Sequence, residues 1–465
     1  MSVTAGFVGL VAVFIFVSLQ SKAFWLLCLL PFVALTMYFL LKYPEISLGL
    51  FINAGYYKAM PYISLPDSVD LTALFGALTI TGILIKMIKG MSKRRLMQFA
   101  IPKEFIIPYS ILVLLMFISL IYTSSLGPAT DKFLRFVVLT SLAAFAPLLI
   151  FDNIDRVKRF LYVLVFISSA MSITAIASAK VLKGIAFHSA LGSNYLTLGR
   201  ATGVSILALS LFLISAAKTR SMKIIGCALV GLNLFGLLYS GGKGPLISLV
   251  VAMLVVLVLH MSQRGAKRYI VVVLLLSLTT VALMLALPGY FDTIKYRLST
   301  INPFSGADIR ESSASERLDL FDAAVNAMAD YPVQGTGLGG FSDYSGYRAQ
   351  YSERAYYPHN IFLEIGSELG IPGLLTFVFL IGFCMSRLIR VSRLRSEVYH
   401  LVWAISALLL YMLLNACVSG DLNDNRMFFM WMGMVFAIEK MHSPMFFSFA
   451  KRENIFLALR LYLKN

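Results

Sequence analysis

The chain has 465 residues, of which 59% are hydrophobic and 14% charged, with a mean hydropathy of +0.81 and a formal net charge of +17. Apolar runs of about twenty residues recur from one end to the other; this is the pattern of an all-α polytopic membrane protein and excludes a soluble domain, whose single core would outgrow what chains of this length build. The basic residues cluster in short loops between the runs, so positive-inside topology accounts for the charge without a nucleic-acid partner.

In chain order, the runs predict spans at about 5–20, 23–41, 45–61, 70–89, 104–125, 131–151, 158–179, 201–217, 222–239, 244–261, 269–287, 361–386, 399–419 and 426–441. The first lacks a basic leader and a small-residue cleavage site, and is expected as a retained span. The run at 45–61 is short and that at 361–386 is broken by glycine, so the expectation is twelve to fourteen transmembrane helices, with those two able to be interfacial or re-entrant. Five basic clusters, at Lys89–Arg95, Arg156–Arg159, Lys218–Lys223, Arg264–Arg268 and Arg387–Arg395, fall on one side when the spans alternate. That side is expected to be the cytoplasm. The four cysteines all lie in apolar runs and show neither disulfide nor zinc spacing, so they read as packing residues.

The chain thus divides into membrane helices over 1–287, one large outer loop over 288–360, C-terminal membrane helices over 361–441 and a basic tail over 442–465, expected on the inner membrane surface. Within the loop, residues from Ser315 have a serine start, early acids and helically spaced apolar positions, which predicts a short amphipathic helix. Gly335-Thr-Gly337-Leu-Gly339-Gly340 then reads as a flexible turn.

Cations on the outer side are informative because the positive-inside rule does not place them there. Arg200 opens the span after Leu-Gly, and Lys243 sits in Ser-Gly-Gly-Lys-Gly-Pro ahead of the next; each either binds an anion at a helix N-terminus or reaches for lipid phosphate. His359 lies between Pro358 and Asn360 at the entry of the 361–386 span; it is a general-base candidate, because the unperturbed pKa of the histidine side chain suits that task at neutral pH, or it caps the helix. Glu364 and Glu368 share a helical face. They are either intramembrane functional groups or part of an amphipathic surface helix that ends at the Gly370-Ile-Pro-Gly373 bend. Arg317, Arg348, Arg354, Tyr356 and Tyr357 give the loop a basic, aromatic character fit for sugar rings and phosphates. There is no Asp-x-Asp pair, His-Glu-x-x-His, phosphate-binding loop or nucleophile elbow in the sequence. Accordingly no metal and no cofactor are expected.

His359-Asn360, nine residues, then Gly370-Ile-Pro-Gly373 resembles the His-[Asn/Ser/Gln]-x9-Gly-x-x-[Gly/Thr/Tyr] pattern of the bacterial O-antigen ligase and O-antigen polymerase superfamily. The approach through Ser315-Glu-Arg317 and Tyr331-Pro-Val-Gln-Gly335-Thr-Gly337-Leu-Gly-Gly-Phe341 is similar too. The resemblance covers about 195–440. It implies a metal-independent inverting glycosyltransferase of the bacterial inner membrane, acting on the periplasmic face upon a glycan carried by undecaprenyl diphosphate. By position, His359 takes the acceptor's proton, Arg200 and Lys243 hold the diphosphate, and Arg317 is the loop arginine before the glycine run. Arg348, Arg354, Tyr356 and Tyr357 face glycan and acceptor, while Asn360, Glu364, Glu368, Gly370 and Gly373 are motif positions. The family often has arginine where this chain has Lys243, which supplies a point charge without a fork. The acceptor implied is lipid A-core, as in a ligase; a second lipid-linked glycan, as in a polymerase, is the alternative. A lipid-linked oligosaccharide transporter is the rival of another class, but it calls for ionisable groups in both halves and repeat symmetry, whereas the polar groups here crowd one face of the C-terminal half.

Overall fold

The computed structural model describes residues 24–57, 70–89, 101–177, 190–261, 313–346, 357–392 and 399–442. The expected spans at 5–20 and 269–287, the basic tail, Arg348, Arg354 and Tyr356 lie outside the described residues. Among those described there is helix and no strand, and seven helices are long and apolar enough to cross a membrane. The protein is therefore an all-α polytopic membrane protein.

The helices are α1 Phe24–Lys42, α2 Pro44–Ile52, α3 Ala54–Tyr57, α4 Leu71–Lys89, α5 Lys103–Ser119, α6 Leu126–Ile150, α7 Ile154–Ala177, α8 Tyr195–Ala216, α9 Arg220–Ser240 and α10 Lys243–Met261. They continue with α11 Ser313–Asp330, α12 Phe341–Tyr344, α13 Ile361–Ser392, α14 Tyr399–Ala416 and α15 Arg426–His442. The sequence expects one span over 45–61. The chain instead forms the nine-residue α2, set at 99° to the preceding helix, then Asn53 and the single turn of α3. Pro44 at the first position of α2 forces the corner, since it cannot continue a helix from Lys42 but fits a first turn. Two π-helical turns, Phe136–Thr140 in α6 and Leu209–Leu213 in α8, widen those helices locally.

Between helices in lipid there is little hydrophobic driving force, so close packing has to do the joining. α15 is the central element: nearly every residue from Met427 to Ile438 is buried, and Gly433 brings its backbone onto the Ala144 carbonyl of α6. Gly236 of α9 sits on Ser172 of α7, and Gly203 of α8 on the Tyr411 ring of α14. Hydrogen bonds between Ser168 and Ser205 and between Asn233 and Ser169 (2.9 Å) tie α7, α8 and α9 together. Ile88, Phe117, Phe166, Ile224 and Phe379 point outward, as a lipid-facing surface requires.

The two ends of the bundle differ. At the end that carries the basic loops, Arg159 pairs with Glu45 (2.6 Å), Lys86 with Asp152 (2.9 Å), and Arg387 with both Glu104 (2.6 Å) and Glu439 (2.8 Å). These pairs join helices at the starts of α2, α5 and α7 and the ends of α4, α13 and α15. For the clusters at Arg156–Arg159 and Arg387 they agree with the alternation read from the sequence; Arg264–Arg268 lies outside the described residues. At the opposite end lie the starts of α6, α8, α10, α13 and α15, and there the polar chemistry gathers.

Candidate active site

The site is built around a broken helix. At Gly370, φ is +67° and ψ −172°, a conformation nearly confined to glycine, and α13 kinks there. A kink releases backbone groups that must find partners. The glycine run of the loop supplies them: Thr336 N–H donates to the Ser367 carbonyl (2.8 Å), Gly337 N–H to the Glu368 carbonyl (3.0 Å), and Ile371 N–H to the Pro332 carbonyl (2.8 Å). A side chain at Gly370 would put its Cβ 2.5 Å from the Val333 carbonyl oxygen, and one at Gly335 would strike the Glu368 carbonyl. From the other side, the Tyr122 hydroxyl donates to the Gln334 carbonyl (2.5 Å), Thr123 Oγ1 to the Leu338 carbonyl (2.8 Å), and Leu338 N–H to Ser119 Oγ (3.2 Å). The run expected to be a flexible turn is thus a brace pinned between α5 and α13. Its glycines are there for close approach.

The brace fixes what flanks it. α11 buries Leu320 and Ala324 with Phe341 against Leu363, and its Met328 sulfur fills the space over Gly366. Arg317 lies one turn before Leu320 on the same face, half-buried. Gly373 packs on the Leu369 side chain just beyond the kink.

His359 immediately precedes α13. Its φ of +56° is left-handed, a strained conformation for a residue with a Cβ, costing on the order of 1–3 kcal/mol and found chiefly where geometry is held for function. Two neighbours hold it. Pro358 is buried, and the Asn360 carboxamide oxygen accepts from Phe362 N–H (2.9 Å) and Leu363 N–H (3.3 Å), capping the helix. The imidazole lies against the Tyr357 ring, with centroids 4.5 Å apart and planes tilted by 59°. Burial raises the Tyr357 phenol above its ordinary range; Asp421, Asp424 and Glu364 push in the same direction and Arg200 opposes them. Tyr357 thus touches His359 and lies within electrostatic reach of Arg200.

Arg200 projects from the first turns of α8, whose start is capped by Asn194 Oδ1 accepting from Thr197 N–H (2.8 Å). Its Nη2 donates to the Ser419 carbonyl (2.8 Å), and its guanidinium lies over Gly420, where a Cβ would come within 3.3 Å of Nη2. Its Nε is buried without a hydrogen-bond partner. Lys243 opens α10 directly after Gly241, left-handed at φ +63°, and Gly242, whose N–H donates to Ser240 Oγ (3.1 Å). That helix start packs beside the residue preceding Arg200: a Cβ at Gly199 would come within 3.0 Å of Pro245 and Ser240 Oγ, and one at Gly244 within 3.0 Å of Val418.

Other charged residues of the mouth escape the sequence reading. Lys132 of α6 extends its ammonium to Glu364 Oε1 (2.5 Å) and Glu368 Oε2 (2.6 Å), with both carboxylates buried. Glu364 and Glu368 are thereby a buried ion cluster, not the polar face of a surface helix. Arg426, Asp421 and Asp424 flank the same loop, and Tyr56 lies within electrostatic reach of both Arg200 and Arg426. Lys132 and Arg426 carry the signal that picked out Arg200, a cation on the side that positive-inside topology leaves poor in cations.

The structure accordingly brings His359, Asn360, Tyr357, Arg200 and Lys243 to one end of the bundle, sets Arg317 on the helix packed against α13, and puts Glu364, Glu368, Gly370 and Gly373 into its support. A fixed imidazole and a guanidinium with an unused donor can together accept a proton and bind an oxyanion. No curated protein sequence matches the chain. Residues 228–378, which contain Lys243, Arg317, His359 and the Gly370 kink, match the family model described as O-antigen ligase. That match, over about a third of the chain, supports the resemblance of this region to the O-antigen ligase superfamily.

Proposed function

We propose that this protein transfers a glycan from undecaprenyl diphosphate to a hydroxyl of lipid A-core on the periplasmic face of the bacterial inner membrane, with inversion and without a metal. The acceptor hydroxyl gives its proton to a ring nitrogen of His359 while its oxygen attacks the anomeric carbon. The bond from that carbon to the diphosphate oxygen breaks, and the charge developing on the diphosphate falls on Arg200 and Lys243, with Arg317 on the loop side. A single displacement of this kind inverts the anomeric centre. Cations placed beforehand do not reorganise during the step, which is why fixed charges at such a point lower the barrier.

The observation that supports the reading most strongly is the placement of Tyr357, whose ring packs on His359 and whose phenol is within electrostatic reach of Arg200. An imidazole and a guanidinium from positions far apart in sequence, at the starts of α13 and α8, thereby share Tyr357 as a neighbour. The strained backbone of His359 and the unpartnered Nε of Arg200 add to it. The test is reconstitution of the purified protein with a glycan on undecaprenyl diphosphate and either lipid A-core or excess donor as acceptor. Product on lipid A-core with inverted configuration supports the proposal. Product only by elongation of the donor replaces the ligase reading with a polymerase, and retained configuration overturns direct displacement.

A further inference from the structure

Lys132 is buried in the second turn of α6 and is the described ion-pair partner of both Glu364 and Glu368. Such a cluster is weak evidence for stability, because apolar side chains of the same volume serve a buried position as well or better. Its connections point elsewhere. Glu364 Oε1, besides meeting Lys132, accepts the Leu422 N–H at 3.1 Å. The Lys132 carbonyl accepts from Asn423 Nδ2 at 3.0 Å, and Asn423 Oδ1 accepts from Thr140 Oγ1 at 3.3 Å. Leu422 and Asn423 belong to the loop between α14 and α15 whose Ser419 carbonyl and Gly420 hold the Arg200 guanidinium. An unbroken series of contacts therefore runs from Arg200 through that loop to Lys132 and into about the first two turns of the helix that His359 precedes.

We propose that Lys132 is a positioning residue: by clamping Glu364 and Glu368 and anchoring Asn423, it sets the spacing between His359 and Arg200. This rests on the glycosyl-transfer reading, in which base and diphosphate must be held in register. Misplacement of reacting groups by about 1 Å can lower a rate by two orders of magnitude without removing any group that touches substrate.

The test uses the full-length protein in lipid nanodiscs with three variants. Lys132→Met removes the clamp but strands two buried carboxylates, so Lys132→Met/Glu364→Gln/Glu368→Gln is made beside it to leave no unpaired charge. Asn423→Leu keeps all three charges and removes only the second tie. Amide hydrogen exchange over 417–425 is measured without substrate, and kcat and donor KM are measured in the transfer assay. In the folded variants the loop amides exchange at least about tenfold faster, and kcat falls about tenfold or more while donor KM moves less than about threefold, because Lys243 still binds the donor. Wild-type exchange over 417–425, or wild-type kcat, in the neutral triple variant or in Asn423→Leu overturns the proposal. The exchange measurement needs no turnover, so it stands apart from the transfer reading, which fails instead if wild-type protein transfers no glycan or if His359→Ala still does.

Discussion

Replacing Gly370 by alanine isolates the brace from the chemistry, because the residue touches neither His359 nor Arg200. At φ +67° and ψ −172° an alanine is strained by roughly 1–3 kcal/mol. Its Cβ would also lie 2.5 Å from the Val333 carbonyl oxygen, 2.7 Å from that carbonyl carbon and 2.8 Å from the Pro332 oxygen. These are backbone atoms that cannot rotate away. Either the kink straightens or the 331–341 run moves, and both outcomes sever the hydrogen bonds from Thr336, Gly337 and Ile371, each worth about 0.5–1.5 kcal/mol. Together the terms predict destabilisation of about 3–7 kcal/mol, close to the whole stability of many domains. Gly382→Ala in the same helix is the control: a Cβ there meets nothing within 4 Å, and alanine is the better helix former. Thermal unfolding of the detergent-solubilised variants, followed by retention on a size-exclusion column, measures the difference. Gly370→Ala with the unfolding midpoint and transfer rate of Gly382→Ala would refute the brace.

Asn360→Ala removes the cap of α13 and should lower stability by about 1 kcal/mol, while transfer falls further because the turn holding His359 loosens; Asn360→Asp, which still accepts from the Phe362 and Leu363 amides, should retain most of both. Arg200→Gln should raise donor KM by about tenfold or more and leave acceptor KM near wild type, since loss of a charge-assisted contact of about 1.5–3 kcal/mol falls on the diphosphate; equal effects on both substrates contradict the assignment. Treatment with a chelator, with or without added divalent ion, should leave transfer unchanged, and activity lost to chelation and restored by metal contradicts direct displacement without one. The Tyr357 phenol is raised by burial, so the folded state holds its proton more tightly than the unfolded state does; its contribution to stability is complete below the ordinary tyrosine value of 10.0 and is lost as pH rises above it. Melting curves between about pH 8 and 11 should therefore fall less steeply for Tyr357→Phe than for wild type.

Much of the framework was legible because spans announce themselves by length and hydropathy: α4, α7 and α13–α15 begin within about four residues of their expected starts. The corner at Pro44 was not, since an apolar run does not report its direction. The glycine run was misread for a related reason. Glycines indicate either freedom or close approach, and only the contacts with Glu368, Val333 and Thr123 decide between them. Among the candidate site positions, His359 and Arg200 were visible as polar residues at helix mouths on the cation-poor side. Glu364 and Glu368 were visible but could not be assigned, because their partner is 236 residues from Glu368 in the chain. Lys132 itself was hidden at the start of an apolar run, where a lone cation is easily counted as part of a span, although its side of the membrane should have marked it.

The proposed reaction depends on His359 to take the acceptor's proton. The most direct measurement is glycan transfer by His359→Ala, purified, folded by size-exclusion and melting criteria, and supplied with saturating donor and acceptor. The expected result is a loss of about two orders of magnitude or more in kcat with donor binding retained. Transfer at the wild-type rate by that folded variant would contradict it.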